Sequence, residues 1–382
     1  MGFYRLLAMA AAIVLLPSIT HGQAAPSTET AAADSQTSIP PKQPTLPGTP
    51  NQPSTGLAGA KAEIARWFDL QNVTLNLRYR YIDTSAGRVT TNQLQHRETI
   101  RGRFKFDKAA KYTWNFGAFS GVRFTSGWDN TGWGIADAQK NFAFKASYLS
   151  AVPIPGVEGQ YGGFYILKGE STELTTYDED GFLIGQRISV KRPKQFYFDE
   201  ISATAAYLTA DPREIPISRR TKYLNDTPNY RQFLVGKKFG KRAGVSTDFT
   251  YADGARTWRQ GLNLKTPELR VVDTVILELY QRVNRTPESG FALTLDKAVH
   301  RSVSVNWGYA SIDPAYGILN ADRFQVGNRA FAMVIYNITP EFLASAFITR
   351  AFGNDIPLAQ RTLSNIVFTY NVIPALKRTG LF

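Results

Sequence analysis

Side chains able to do bond-making chemistry are scarce in this sequence, and the plentiful ones are cationic. The chain has no cysteine, which removes disulfide frameworks, thiolate metal sites and cysteine nucleophiles together. Its three histidines are His21, His96 and His300. None has a second catalytic group at a recognisable spacing, and no phosphate-cradling glycine loop or metal-ligand cluster accompanies them. The expectation is a protein that is not an enzyme and that needs no cofactor and no metal. Basic residues, by contrast, recur at every second position: Arg78 and Arg80, then Arg101, Arg103 and Lys105, with Arg123, Lys145, Arg187, Lys191, Arg259 and Lys265 further along. A total of 44 Lys and Arg against 31 Asp and Glu gives a formal charge of +13. That excess suits nucleic acid, an anionic surface or the handling of anions, and composition alone does not choose among them. The carboxylates gather elsewhere, at Glu170, Glu173, Asp178, Glu179 and Asp180. Gly181 follows them, but a calcium loop would need further spaced oxygen ligands and a closing glutamate.

The N-terminus points to export. Met1–Arg5 carries a positive charge, Leu6–Leu16 is an eleven-residue apolar run, and Pro17 and small residues follow. This is the layout of a cleaved signal peptide, residues 1–22, with cleavage after Gly22 preferred over Ala24. An exported protein has little occasion to meet nucleic acid. Residues 23–60 hold seven prolines and no aromatic residue, so they cannot bury enough apolar surface to offset chain entropy. They read as a disordered Pro/Ser/Thr-rich linker. Residues 61–71 follow as a short amphipathic segment, with Ile64, Trp67 and Phe68 on one face of a helical turn against or inside the folded body.

From Asn72 the apolar period becomes two. Val73, Leu75, Leu77, Tyr79 and Tyr81 alternate with Thr74, Asn76, Arg78 and Arg80, so one face of a strand is apolar and the other polar. Ile100, Gly102, Phe104 and Phe106 repeat the pattern, as do Tyr112, Trp114, Phe116 and Ala118, and then Phe142, Phe144, Ala146 and Tyr148. Sixteen such segments can be drawn: 72–83, 97–107, 111–125, 140–152, 157–168, 184–192, 196–208, 230–239, 243–253, 257–265, 269–282, 290–297, 301–312, 328–338, 341–352 and 361–373. Most are longer than the soluble mode of about 5–6 residues.

Between the segments, long and short gaps alternate, with 254–256 the one short member of the long series. An even number of strands, long loops at one end and tight turns at the other describe an all-β, transmembrane, antiparallel up-and-down β-barrel over residues 72–382. In lipid every backbone N–H and C=O must be paired, so a sheet survives there only if it closes on itself. The outer face is then apolar and the inner face wet. Tyr79, Tyr81, Phe106, Tyr112, Trp114, Phe124, Tyr251, Trp258, Trp307 and Tyr309 sit near the ends of the outward rows, where aromatic girdles belong. A soluble all-β protein packing the same faces into an ordinary core is the alternative, and it accounts less well for the strand lengths and the two-ended loops.

Signal peptide, absent cysteine, sixteen amphipathic strands and a terminal Phe382 together resemble the Gram-negative outer-membrane porins. The resemblance is architectural and implies a water-filled diffusion channel in the bacterial outer membrane for small hydrophilic solutes. It implies outer-membrane lipid and a possible homotrimer as partners. One departure is the C-terminus, where clean alternation ends with Ile366, Phe368, Tyr370 and Val372, ten residues before Phe382. Either the last strand ends early with a short tail, or its register is different. The eleven basic residues named above line the lumen in this reading and make one wall basic, which attracts anions. Inward carboxylates within strands are fewer, Asp248 and Glu278 being the clearest, and the bland alternative is that the arginines pair with loop carboxylates and brace the barrel. The resemblance also implies that the third long loop, 169–183, folds inward and sets Asp178, Glu179 and Asp180 across from Arg78, Arg101 and Arg103; the bland reading is a solvated surface loop. His96 at the loop end of the second strand and His300 in a tight turn fall at opposite membrane faces. Two other functions remain open, a channel selective for an oxyanion or acidic sugar polymer and a plugged structural or adhesive barrel.

Overall fold

The computed structural model describes residues 63–84, 87–121, 127–172, 174–175, 182–192, 195–208, 228–252, 254–266, 268–284, 288–313, 327–352 and 360–378. The expected signal peptide and linker, Arg123, Phe124, Glu173, Asp178, Glu179, Asp180 and Phe382 lie outside them. The strands are β1 (Phe68–Thr84), β2 (Val89–Lys105), β3 (Tyr112–Ser120), β4 (Asp129–Gly134), β5 (Phe142–Ile154), β6 (Val157–Tyr165), β7 (Phe182–Val190), β8 (Glu200–Leu208) and β9 (Tyr230–Phe239). They continue with β10 (Ala243–Ala252), β11 (Ala255–Lys265), β12 (Thr274–Arg282), β13 (Glu288–His300), β14 (Val303–Ile312), β15 (Gly327–Asn337), β16 (Phe342–Phe352) and β17 (Gln360–Asn371).

Every pairing is antiparallel and most run between neighbours in sequence; β2 with β4 and β3 with β5 skip one strand, and β1 with β17, in a register from Thr74↔Asn371 to Tyr81↔Ser364 and beyond, closes the ring. Both β3 and β4 run against β2, β3 along Thr99–Lys105 and β4 along Gln93–His96. They are the two halves of one interrupted strand, so the closed ring counts sixteen. Closure leaves no edge with unpaired backbone groups, which is the condition for a sheet in lipid.

Alternation decides which side chain meets which medium. Along β1, Arg78 and Arg80 are buried while Leu75 and Leu77 are 49% and 41% exposed, so the cations face in and the aliphatic residues face out. The same inversion holds at Arg187 beside Ile188 and at Asp248 beside Phe249. A water-soluble protein would cover an apolar surface of this extent; a barrel in a bilayer presents it to acyl chains. Around the turn end of β1–β3, Phe68, Phe104, Trp114 and Phe116 pack as an outward aromatic patch with centroids 4.8–6.3 Å apart.

Several boundaries differ from the sequence reading. β1 starts at Phe68, and of the described residues before it 63–67 are helical, with Ile64 and Trp67 exposed rather than tucked into the body. The expected 84–96 loop is mostly strand: its Thr, Asn and Gln residues look like a loop by composition, yet Val89–His96 pair along β1 as far as Leu77. His96 is therefore mid-strand on the outer face, bonded to Glu98 at 2.9 Å, and not at a loop end. The expected third strand, 111–125, stops at Ser120 and resumes at Asp129. A register shift in the β3–β5 pairing turns Lys145 and Ala146 both inward, so Tyr148, read as part of the outward row, faces the lumen and meets Phe164 edge-on at 6.4 Å. At the C-terminus the first of the two alternatives holds: β17 ends at Asn371, and Val372–Arg378 form a helix whose Arg378 is 3.1 Å from Glu341.

Candidate functional site in the barrel lumen

The inner face of β1–β7 carries a run of cations laid against aromatic rings. Arg78 donates from Nε to Gln95 Oε1 at 2.7 Å, and its guanidinium lies 4.0 Å from the centre of the Trp128 ring. Arg97 sits between Trp128 and Phe119, at 5.8 and 5.4 Å. Arg101 lies 4.9 Å from Phe119 and 5.2 Å from Tyr165, and Lys145 lies 5.9 Å from Phe119. Arg187 stacks on Phe164 at 4.3 Å while donating to Thr204 Oγ1, Gln160 Oε1 and the Tyr165 carbonyl. A ring face attracts a cation through its quadrupole, by about 0.5–2 kcal/mol, without neutralising it. Such contacts orient the guanidinium planes.

Other expected lumen bases do something else. Arg259 is ion-paired with Asp248 at 2.5 Å, both nearly fully buried. Arg103 is paired with Asp69 at 2.5 Å, Lys191 lies 3.4 Å from Glu200, and Lys105 Nζ donates to the Ala65 carbonyl. Arg80 is buried on the inner face of β1, and Lys265 is exposed at the turn end of β11. Of the eleven, Arg78, Arg101, Lys145 and Arg187 thus form the ring-backed group.

The segment after β6 lies inside the barrel. Gln232 on β9 donates to the Leu167 carbonyl at 2.9 Å, and the Glu170 N–H donates to Ser246 Oγ on β10 at 2.8 Å. Glu278 on β12, with no exposed surface, accepts from the Thr172 N–H at 2.9 Å and from the hydroxyls of Thr172 and Thr175. Leu174 then packs with Tyr280, Ala292, Ala310, Ile312 and Phe331 on the inner faces of β12–β15. Two strand glycines make room: a Cβ on Gly244 would stand 2.5 Å from the Glu170 carboxyl carbon, and one on Gly261 would stand 2.8 Å from the Ser171 nitrogen. Glycine inside a strand marks such a close backbone approach.

Glu170 is therefore buried against β10, which is eight strands from β1 whichever way the ring is counted. It lies on the wall facing the arginines and is held to that wall. Sequence reasoning missed Arg97, Trp128, Phe119 and Tyr165. Arg97 shares the parity of Arg101 and Arg103 and could have been found. Trp128 sits in the break between β3 and β4, where periodicity says nothing.

No protein-family model matches this sequence, and no curated protein does. Among solved structures, the chain is similar to two variants of a porin from Rh. blastica, at 11% and 12% sequence identity and a TM-score of 0.50 in each case. Both matches cover 80% of this chain and 99% of the other. A chain described under asymmetric conductivity of engineered proteins matches with the same TM-score at 11% identity, again over 80% and 99%. At these identities the likeness is one of fold. The fold is that of a porin-like barrel, closed, antiparallel and sixteen-stranded with β3 and β4 counted as one interrupted strand.

Proposed function

We propose that this protein is a passive, water-filled diffusion channel of the bacterial outer membrane for small polar solutes, a channel rather than an enzyme, and that it prefers anions. One observation carries the reading: ring-backed cations line β1–β7, while the inward segment is pinned to the opposite wall with Glu170. A solute crossing between them meets a field set across the pore by the cation row on one wall and Glu170 on the other, and the more numerous charges are positive. Glu173, Asp178, Glu179 and Asp180 follow Glu170 in the same loop and belong to its acidic side in this reading.

The test is planar-bilayer recording of the purified protein in a potassium chloride gradient. Replacing Arg78, Arg97 and Arg101 with Gln should move the reversal potential toward the cation value. An unchanged potential would refute the basic-wall argument, and an absence of conducting steps would favour a plugged barrel. The continuity of the cation row favours one second reading, a channel selective for an oxyanion or acidic sugar polymer. Block of chloride current by sulfate at low concentration separates it from general diffusion. Association into a homotrimer is supported by the outward His96–Glu98 pair, a polar spot among Leu75, Leu77 and Ile100 that a protein neighbour covers better than lipid.

A further inference from the structure

The outer face of β9–β11 carries a feature that the channel does not use. Arg231 and Arg256 both point outward and are exposed, and each stands directly across from Tyr251 in the ladder. Two strand spacings put their Cβ atoms about 10 Å apart with the tyrosine between them. Neither side chain makes a hydrogen bond or ion pair among the described residues. One pleat deeper, Phe233, Phe249 and Trp258 form the next outward row, with Phe249 and Trp258 stacked at 5.9 Å and 5°. Between these rows lies an open groove of about 560 Å³, lined by Phe233, Phe249, Tyr251 and Val283 and flanked by the two arginines.

The position is specific. β9 and β11 begin, and β10 ends, at the loop end of the barrel, which in such barrels is the outer side. Charges on a lipid-facing barrel surface cost about 2–4 kcal/mol at mid-membrane and about 0–1 near the interface. Two like charges side by side at that level, without a carboxylate among the described residues, are complementary to an anion. The apolar groove beneath them is complementary to an acyl chain and not to a free ion.

We propose that Arg231, Tyr251 and Arg256 form a binding site for a lipid of net negative charge, its phosphate not balanced by a head-group cation, in the outer leaflet. The two guanidiniums and the tyrosine hydroxyl hold the phosphate, and one acyl chain lies along Phe233 and Phe249. A bidentate guanidinium suits phosphate better than a lysine would. The inference rests on the barrel's outer face lying in a bilayer, and is independent of anion preference in the pore.

The experiment is native mass spectrometry of the full-length protein released from detergent, titrated with dioleoyl phosphatidylglycerol or dioleoyl phosphatidylcholine. The wild type is expected to retain the phosphatidylglycerol more tightly. The double variant Arg231→Gln, Arg256→Gln should lose about thirtyfold in apparent affinity, or about 2 kcal/mol at 1.4 kcal/mol per decade. The matching Lys double variant should keep most of it. Arg350→Gln removes a lone outward arginine at the same end of β16 and should change nothing. Equal retention of the two lipids, or equal affinity of the Gln double variant and the wild type, would overturn the proposal. So would displacement of the lipid by glycerol 3-phosphate, which would show an anion site without the groove. Bilayer conductance of the Gln double variant should match the wild type, so a failure here is distinguishable from a failure of the channel reading.

Discussion

Glu278→Gln tests whether the inward segment is held by the wall of the barrel. In the wild type one carboxylate, wholly buried on β12, accepts from the Thr172 N–H, the Thr172 hydroxyl and the Thr175 hydroxyl. Hydrogen bonds to a charged group contribute about 1.5–3 kcal/mol each, against about 0.5–1.5 for neutral ones. Gln keeps the shape and one accepting oxygen but puts an NH2 where the second oxygen received a threonine proton. Losing one charged bond and weakening two leaves docking less favourable by about 3 kcal/mol, or on the order of a hundredfold in the ratio of docked to released segment. The remaining anchors, Ser246, Gln232 and the Leu174 cluster, are untouched, so the barrel itself should fold. Single-channel recording should then show larger mean conductance and frequent steps between levels. Limited proteolysis of protein in micelles should cut between β6 and β7 faster than in the wild type. Wild-type conductance, noise and cleavage rate together would show that Glu278 does not hold the segment.

Gly261→Ala should act on the same contact from the wall side. The added methyl meets backbone at Ser171 N, 2.8 Å, and at Glu170 C, 3.0 Å, so the segment must shift. A cost of about 1–3 kcal/mol is expected, read as a lower temperature for loss of the heat-modifiable gel band. Arg259→Gln strands Asp248 in a buried site and should destabilise by about 3 kcal/mol, with the double variant Arg259→Gln, Asp248→Asn less harmful than the single. In the turn between β11 and β12, the hydrogen bond from Lys297, then that from the Ala298 N–H, holds the Asp273 carboxyl below its ordinary value. A folded-state pKa below the unfolded one means stability present at neutral pH and lost as pH falls from about 4 through the lowered value. Asp273→Asn should flatten the acid limb of a urea-unfolding series over that window; an unchanged limb would remove Asp273 from the account.

Much of the barrel was legible because alternation is a local property. A side chain's face follows from its parity alone, and parity marked Arg78, Arg101 and Arg187 as inward while their neighbours Leu77, Ile100 and Ile188 were outward. The limits came where parity breaks or carries no contrast. The register shift at Lys145 reverses Tyr148, the break after Ser120 hides Trp128, and the polar half of β2 has no apolar row to betray it. Gly244 and Gly261 carry no local sign of what approaches them.

Strand spacing and period, together with the requirement that a sheet in lipid leave no open edge, were enough to specify a closed cylinder with cations inside. Which groups face one another across that cylinder was decided only by its closure. Pairing β1 with β17 sets β10 opposite β1, and that lets a segment leaving β6 reach Ser246, Gly261 and Glu278, about 80–110 residues further along the chain. Nothing in the local sequence at Glu170 or Glu278 encodes that meeting, because contacts of such separation exist only once the ring has brought its far side within reach.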